Sequence, residues 1–179
     1  MIIYKKPYFI LETKDLTYAF KVIKTGHLEH LYFGNKIDHN DLDNLHTKIT
    51  AKARGVVDYS EEKDKDIPLD LIPLEYSSFG KGDFKLTPIE IKMPDHTFVS
   101  DFIYESHQIK DGIYPIKDLL QQYDEANQSK SLIITLKDAK FNIYLDLIYH
   151  TFQDSNCITR STVIRNEEKE MVSLRKIMS

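Results

Sequence analysis

The chain lacks tryptophan, carries a single cysteine, and has only six glycines and six prolines among its 179 residues. Each shortage excludes something. Cys157 alone cannot close an internal disulfide, and with no second cysteine there is no thiolate pair for a structural zinc. Neither charge sign dominates: the formal net charge is −4 and the pI is near 6.0, with Lys and Arg scattered rather than massed. Without a basic face, nucleic acid is not expected as a partner. No apolar run approaches the roughly 18 residues of a membrane span, and Met1-Ile2-Ile3-Tyr4-Lys5-Lys6-Pro7 holds no signal-peptide core. No membrane partner is expected, and the protein reads as soluble and cytoplasmic. Asn127-Gln128-Ser129 is formally a glycosylation sequon, but that matters only in a secreted chain.

No segment sustains a 3.6-residue apolar repeat. The nearest is Ile116 to Ala126, where Asp118 to Tyr123 predicts a short helix. Strand patterns dominate instead. Leu16, Tyr18, Phe20 and Val22 alternate with polar or small neighbours. A second apolar segment, Leu28 to Phe33, follows the turn residues Lys24-Thr25-Gly26, which is a hairpin signal. Further strands are expected over Phe98 to Tyr104, Leu132 to Leu136, Phe141 to Thr151 and Ile158 to Ile164. Phe141, Ile143, Leu145, Leu147 and Tyr149 share one face, opposite Asn142, Asp146 and His150. Gln153-Asp154-Ser155-Asn156 joins them to Ile158 onward as a long second hairpin. The expected fold is mainly β, built of packed sheets in one domain; a chain of this length buries roughly 70% of its extended-chain surface.

Two stretches interrupt the pattern. Asn35 to Asp70 is polar and includes Glu61-Glu62-Lys63-Asp64-Lys65-Asp66, a solvated surface loop by composition. Lys110 to Ser131, with Asp111-Gly112 and Pro115, reads as a crossing connection. Val172 and Leu174 open like a strand that stops at Ser179 without a turn, as expected of a piece of a longer chain.

Pro73-Leu74-Glu75-Tyr76-Ser77-Ser78-Phe79-Gly80-Lys81-Gly82-Asp83-Phe84 concentrates aromatics, glycines and charges between strand-like segments. Its glycines suit positive φ in a tight loop that would present Lys81 and Asp83 outward, with Tyr76, Phe79 and Phe84 as anchors. A purely structural loop packed on a neighbouring domain fits the same residues. Gly80-Lys81-Gly82 lacks the spacing of a nucleotide-binding loop and no helix pattern follows it. His27-x-x-His30 is half a metal motif, but in a strand positions i and i+3 face opposite ways, so no shared metal is expected. Cys157 reads as a small buried hydrophobe. The twenty aromatics, eleven Tyr and nine Phe, alternate within strands and read mainly as core. No carboxylate pair is marked by a motif, so no catalytic residue is assigned in this chain.

Four motif groups, in order and spacing, carry a resemblance. They are Gly26-His27-Leu28-Glu29-His30-Leu31-Tyr32-Phe33-Gly34; Leu74-Glu75-Tyr76 with Gly82-Asp83-Phe84-Lys85; Asp101-Phe102-x-Tyr104-x-x-His107; and Ile158-Thr159-Arg160-Ser161. Together the chain resembles the N-terminal domain of bacterial α-galactosidases of glycoside hydrolase family 36. The resemblance implies a β-supersandwich, galactose mutarotase-like, over residues 1–179, cut from a chain that continues into a catalytic (β/α)₈ barrel and a C-terminal β-sandwich. It implies that the catalytic aspartates lie in the barrel. It also implies a parent that hydrolyses melibiose- and raffinose-type α-galactosides with retention and without a metal or cofactor, and a homo-oligomer. A substrate-contacting Asp-Arg step of the family falls at Ala53-Arg54. Arg54 matches, the acid does not, and Asp58 could substitute only with a shift of register. The substrate-proximal or interdomain candidates are therefore Arg54, Asp58, Phe79, Lys81 and Asp83.

Two other readings fit the residues. A stand-alone carbohydrate-binding β-sandwich would need an exposed Tyr/Phe row. A small mutarotase-like enzyme would need His107 or His150 to converge with Glu105 in a concave sheet.

Overall fold

A computed structural model describes residues 1–46, 69–117, 120, 123–124 and 128–179. Among these, the strands are β1 (Ile2–Lys5), β2 (Tyr8–Glu12), β3 (Leu16–Val22), β4 (Leu28–Asn35), β5 (Ser78–Phe79), β6 (Gly82–Asp83), β7 (Ile89–Lys92), β8 (Phe102–Asp111), β9 (Lys130–Asp138), β10 (Ile143–Phe152), β11 (Cys157–Asn166) and β12 (Ser173–Ile177). Two short 3-10 turns, Leu42–Leu45 and Leu69–Leu71, are the only helical elements among the described residues. The mainly β expectation holds.

Two antiparallel four-stranded sheets face one another, in the orders β1-β2-β3-β4 and β11-β10-β9-β8. Strand alternation builds the space between them. Phe9, Leu11, Phe20 and Leu28 of the first sheet meet Leu132, Ile134, Leu136, Ile143, Leu145, Leu147 and Tyr149 of the second, with Ile89, Ile91 and Met93 completing the cluster. Ring contacts run through it: Phe9 stacks on Phe20 at 5.3 Å between centroids, and Phe20 on Tyr149 at 5.4 Å. Offset ring pairs of this kind add to the apolar burial.

The first sheet is also covered on its other face, where Ile10, Ala19, Leu31 and Leu42 form a second buried cluster. Burial on both faces explains why Tyr8-Phe9-Ile10-Leu11 is continuously apolar instead of alternating. β1 and β2, like the short β7, were not expected from the sequence for this reason: their runs are brief or lack a period of two. A register irregularity between Ala19 and Phe20 places Phe20 opposite His30. That shift makes room for Leu31 on the outer face and keeps His30 on the inner one.

Both expected hairpins form. β3 turns to β4 through Gly26, at φ 85°, a region that glycine enters without steric cost. The β10–β11 hairpin keeps register from Ile143 opposite Asn166 to Phe152 opposite Cys157. The strand expected over Phe98 to Tyr104 instead starts at Phe102, because the residues before it are spent on loop contacts: Ser100 donates its N–H to the Phe79 carbonyl at 3.3 Å, and Asp101 donates its own to Asp138 at 2.8 Å. From there β8 continues to Asp111, past a bulge at Glu105, through residues too polar to show an apolar period. The strand opening near Val172 is β12, paired with β7. Cys157 is exposed, not buried, because it sits where the hairpin turn enters β11. Most of the helix expected over Asp118 to Tyr123, and Asn127 of the sequon, lie outside the described residues, as do Arg54, Asp58 and the acidic block 61–66.

Phe20 is fully buried and touches rings from both sheets. Phe20→Ala is expected to lower unfolding free energy by about 3–5 kcal/mol in a denaturant titration. A loss below about 1 kcal/mol would show that the sheets do not share this core.

Candidate functional site

Residues 73–75 run beside β4, and Glu75 reaches from there to the second sheet. His30 donates its backbone N–H to the Pro73 carbonyl at 2.7 Å, and Glu75 donates its own to the Leu28 carbonyl at 2.8 Å, so the segment lies along the open side of β4. Backbone pairing fixes Glu75 at the seam, and its side chain is buried. One carboxylate oxygen accepts hydrogen bonds from the Tyr18 hydroxyl, from Tyr149 Oη at 2.7 Å and from Arg160 at 2.9 Å. The other oxygen lies 3.0 Å from His30 Nδ1. The Arg160 guanidinium also reaches the Glu75 carbonyl at 3.2 Å. Tyr18 and His30 come from the first sheet, Tyr149 and Arg160 from the second.

Electrostatics follow from this crowding. Burial alone would raise the Glu75 pKa. The hydrogen bonds from His30, Tyr18 and Tyr149 and the charge of Arg160 outweigh it, holding the carboxyl below its ordinary 4.5. Desolvation and the adjacent carboxylate push the Tyr18 and Tyr149 hydroxyls well above their usual 10, so both stay protonated donors. A carboxylate that is buried, ionised and occupied on both oxygens is neither poised to exchange a proton near neutral pH nor open to a substrate.

A second buried pair lies at the turn before β4. His27 Nε2 sits 2.9 Å from Asp101, and His27 Nδ1 sits 2.8 Å from the Thr25 hydroxyl. Lys81 Nζ reaches the other Asp101 oxygen at 3.5 Å. His27 and His30 thus serve different carboxylates, in line with their divergent orientation. Among the described residues no group of three His, Cys, Asp or Glu side chains is placed to hold a metal ion.

The glycine loop differs from expectation in part. Gly80 and Gly82 do adopt positive φ, 80° and 87°, and a Cβ on either would stand 2.8 Å from Val99 or Leu69. Tight docking, as well as the turn, requires glycine there. Lys81, however, is drawn back to Asp101. Asp83 is folded onto Ser77 Oγ at 2.9 Å and the Lys85 N–H at 2.8 Å, so neither is simply presented outward. Tyr76 is the firm anchor, buried with its hydroxyl donating to the Met178 carbonyl at 3.0 Å and its pKa pushed up to about 12 by desolvation. Phe79 is half-buried, and Phe84, exposed, anchors nothing.

The residues proposed for a mutarotase-like site do not converge. His107 packs on Tyr4 and Phe9 on the core face, while His150 is bonded on the opposite face to Thr159 and the Tyr114 carbonyl. Glu105 is exposed in the bulge. Nor do the exposed rings among the described residues form a row: Tyr4 is on β1, Phe33 on β4, and Phe84 and Tyr123 in separate loops.

What the structure brings together is the set of motifs itself. His30, Glu75 and Arg160 come from three separate motif groups and meet in one clasp; His27 and Asp101 meet in the other. Residues 26–179 match the profile of the glycosyl hydrolase family 36 N-terminal domain. The chain belongs to that family. It is 30% identical over 172 residues to the α-galactosidase Mel36A of Lactobacillus acidophilus, covering 96% of this chain and 23% of that protein. It is 29% identical over 173 residues to the bifunctional α-galactosidase/sucrose kinase AgaSK of Mediterraneibacter gnavus, covering 96% of this chain and 18% of that one. The solved galactosidase domain of AgaSK superposes with a TM-score of 0.90 at 28% identity, over 99% of this chain and 25% of its own. The family 36 domain thus spans about a fifth to a quarter of the length of these relatives. No helix among its described residues is long and apolar enough to cross a membrane.

Because its folded pKa is depressed, Glu75 contributes stability that is complete above the unfolded carboxyl pKa near 4.5 and is lost as pH falls through the lower folded value. Glu75→Gln is therefore expected to flatten the acid limb of a stability-versus-pH curve below about pH 4.5. Glu75→Ala, which strands a half-buried Arg160, is expected to cost about 3–5 kcal/mol at neutral pH. An acid limb parallel to that of the unsubstituted protein would disprove the clasp's role. Lys81→Ala, breaking a pair with one partly exposed partner, is expected to change stability by less than about 1 kcal/mol.

Proposed function

We propose that this chain is the non-catalytic N-terminal β domain of an enzyme that hydrolyses terminal α-galactosides, of melibiose or raffinose type, with retention. The observation that supports it most is the family match over residues 26–179 to an N-terminal domain, together with relatives named as α-galactosidases that are several times longer than this chain. A doubly substituted form of one such relative, AgaA of Geobacillus stearothermophilus, was solved in complex with raffinose and superposes with a TM-score of 0.86 at 25% identity.

Retaining glycosidases need two carboxyl groups about 5–5.5 Å apart, one free to attack and one free to donate a proton. The two buried carboxylates of the seams, Glu75 and Asp101, are instead tied to hydrogen-bond partners from other strands and loops. That commitment supports a scaffold role, with the reacting carboxylates in a following catalytic barrel. In this reading residues 1–179 are one domain of the longer chain and pack on the barrel. Arg54, Asp58, Phe79, Lys81 and Asp83 are its candidates for the surface nearest the sugar or the barrel. A cytoplasmic setting belongs to the same reading, and a single unpaired cysteine suits a reducing compartment.

The purified chain is expected to release no galactose from raffinose or from a chromogenic α-galactoside. Turnover by the chain alone would refute the scaffold role. Binding of galactose or raffinose by the inactive chain at millimolar or tighter affinity would instead favour a carbohydrate-binding module.

A further inference from the structure

Side chains of the second sheet hold down the chain that leaves β8. Gly112 donates its N–H to the Ser129 carbonyl at 2.9 Å. Ser131 Oγ donates to the Gly112 carbonyl at 2.6 Å and accepts the Tyr114 N–H at 2.8 Å. His150 Nε2 lies 3.3 Å from the Tyr114 carbonyl, and His150 Nδ1 lies 3.3 Å from the Thr159 hydroxyl. Ser131 and Thr159 are the register partners of His150 on either side, so the three form one row across the sheet. Ser131 and His150 are both buried, His150 with 2% of its surface exposed. In this seam the imidazole is the side chain that can change its charge near neutral pH.

His27, His30 and His39 each face a carboxylate, those of Asp101, Glu75 and Glu12. His150 faces a hydroxyl and a carbonyl instead. The ionisable groups on the elements around it are engaged elsewhere. Lys110 lies over the Tyr114 ring, 4.5 Å from its centroid, and Lys130 pairs with Asp111 at 2.7 Å. Asp124 accepts the Ser129 N–H at 2.8 Å, and Arg160 turns to Glu75. Cys157 stands two residues before Thr159 on β11. None of these is bonded to the imidazole. A proton added there makes a buried cation without a counter-charge. Burial accordingly holds the His150 pKa below its ordinary 6.5, and the Tyr114 carbonyl offsets only part of that effect.

Two routes return a charged ring to water. Parting β10 from β9 or β11 breaks ladder bonds and uncovers the core beside Tyr149. Lifting residues 112–114 breaks only the few hydrogen bonds of the seam, so it is the less costly. We propose that His150 is an acid-released latch: protonation of its imidazole lets residues 112–114 come off the second sheet while the sheet itself stays paired. The latch is built wholly from this chain and does not depend on the activity proposed above. Its sign follows from linkage. The open form, with the ring in water, takes up a proton from about pH 6.5 downward, and the closed form only at lower pH. Opening is therefore constant well above pH 6.5, rises as pH falls, by at most about tenfold per pH unit, and levels off once the closed form is also protonated.

Hydrogen exchange of the purified chain, read by mass spectrometry and corrected for the intrinsic pH dependence of exchange, tests the latch. From pH 7.5 to pH 5.5, opening over residues 112–114 is expected to rise about three- to tenfold. Over residues 132–136 and 145–149 it is expected to change by less than about twofold. His150→Gln, which stays neutral and can still donate to the Tyr114 carbonyl, is expected to abolish the rise. His107→Gln removes the other histidine whose pKa burial lowers, on the core face beside Tyr4 and Phe9, and is expected to keep the rise. A carbon-13 titration of the histidine rings in the unsubstituted chain gives a reading that needs no variant: His150 is expected to titrate below 6.5. The proposal is overturned by an unchanged rate over residues 112–114, by a rise shared with the strand peptides or kept in His150→Gln, or by a His150 ring that titrates at or above 6.5.

Discussion

The ionised Glu75 carboxylate is the constraint around which both sheets are arranged. A buried charge without partners would cost several kcal/mol or would be neutralised by taking up a proton. Here it keeps its charge because four donors from four different strands meet it. Tyr18 and Tyr149 can reach it only when the sheets are at their observed spacing and registers. A one-residue slip of β3 or β10 would turn either ring to the opposite face and leave the carboxylate short of donors. Apolar packing drives the sheets together, and the clasp selects which way they meet.

The same tyrosines belong to two systems. Their rings extend the cluster that Phe9 and Phe20 begin, Tyr18 meeting Phe20 edge-on at 6.0 Å and Tyr149 stacking on it at 5.4 Å between centroids. Their hydroxyls end at the carboxylate. A phenylalanine in either place would fill the same volume and abandon the charge, whereas a serine would meet the charge and leave a hole. Only tyrosine closes the hydrophobic core and the polar seam at once.

How far the fold could be read from the sequence depended on how each strand is buried. β3, β10 and the start of β11 show one apolar face and one polar face, so their period of two is visible, and both hairpins follow from it. β2 is covered on both sides and shows no period. β8 is edge-like and polar beyond its bulge, so its length was hidden. The loop at residues 76–84 shows its need for glycine in the sequence but not its direction, because Lys81 and Asp83 take partners at Asp101 and Ser77 that adjacency in sequence does not reveal. The clasp was in view without being recognised. Glu75, His30 and Arg160 each stood inside a motif that carried the family resemblance, yet an isolated acid, imidazole and guanidinium in three distant segments have no spacing rule that joins them. Only the cross-sheet geometry does.

That geometry also separates structural from catalytic acidity in a family defined by catalysis. Continuum reasoning and substitution experiments on buried ion pairs show that well-packed apolar residues are often as stable or more so. A clasp of this kind therefore has its use in uniqueness of arrangement more than in net stability. A catalytic carboxyl needs the reverse conditions: a free oxygen, access to substrate and a pKa matched to proton exchange. Glu75 has both oxygens occupied, is shut from solvent and is held below the ordinary carboxyl range. The more completely its partners satisfy it, the better it fixes the sheets and the less free it is to exchange a proton.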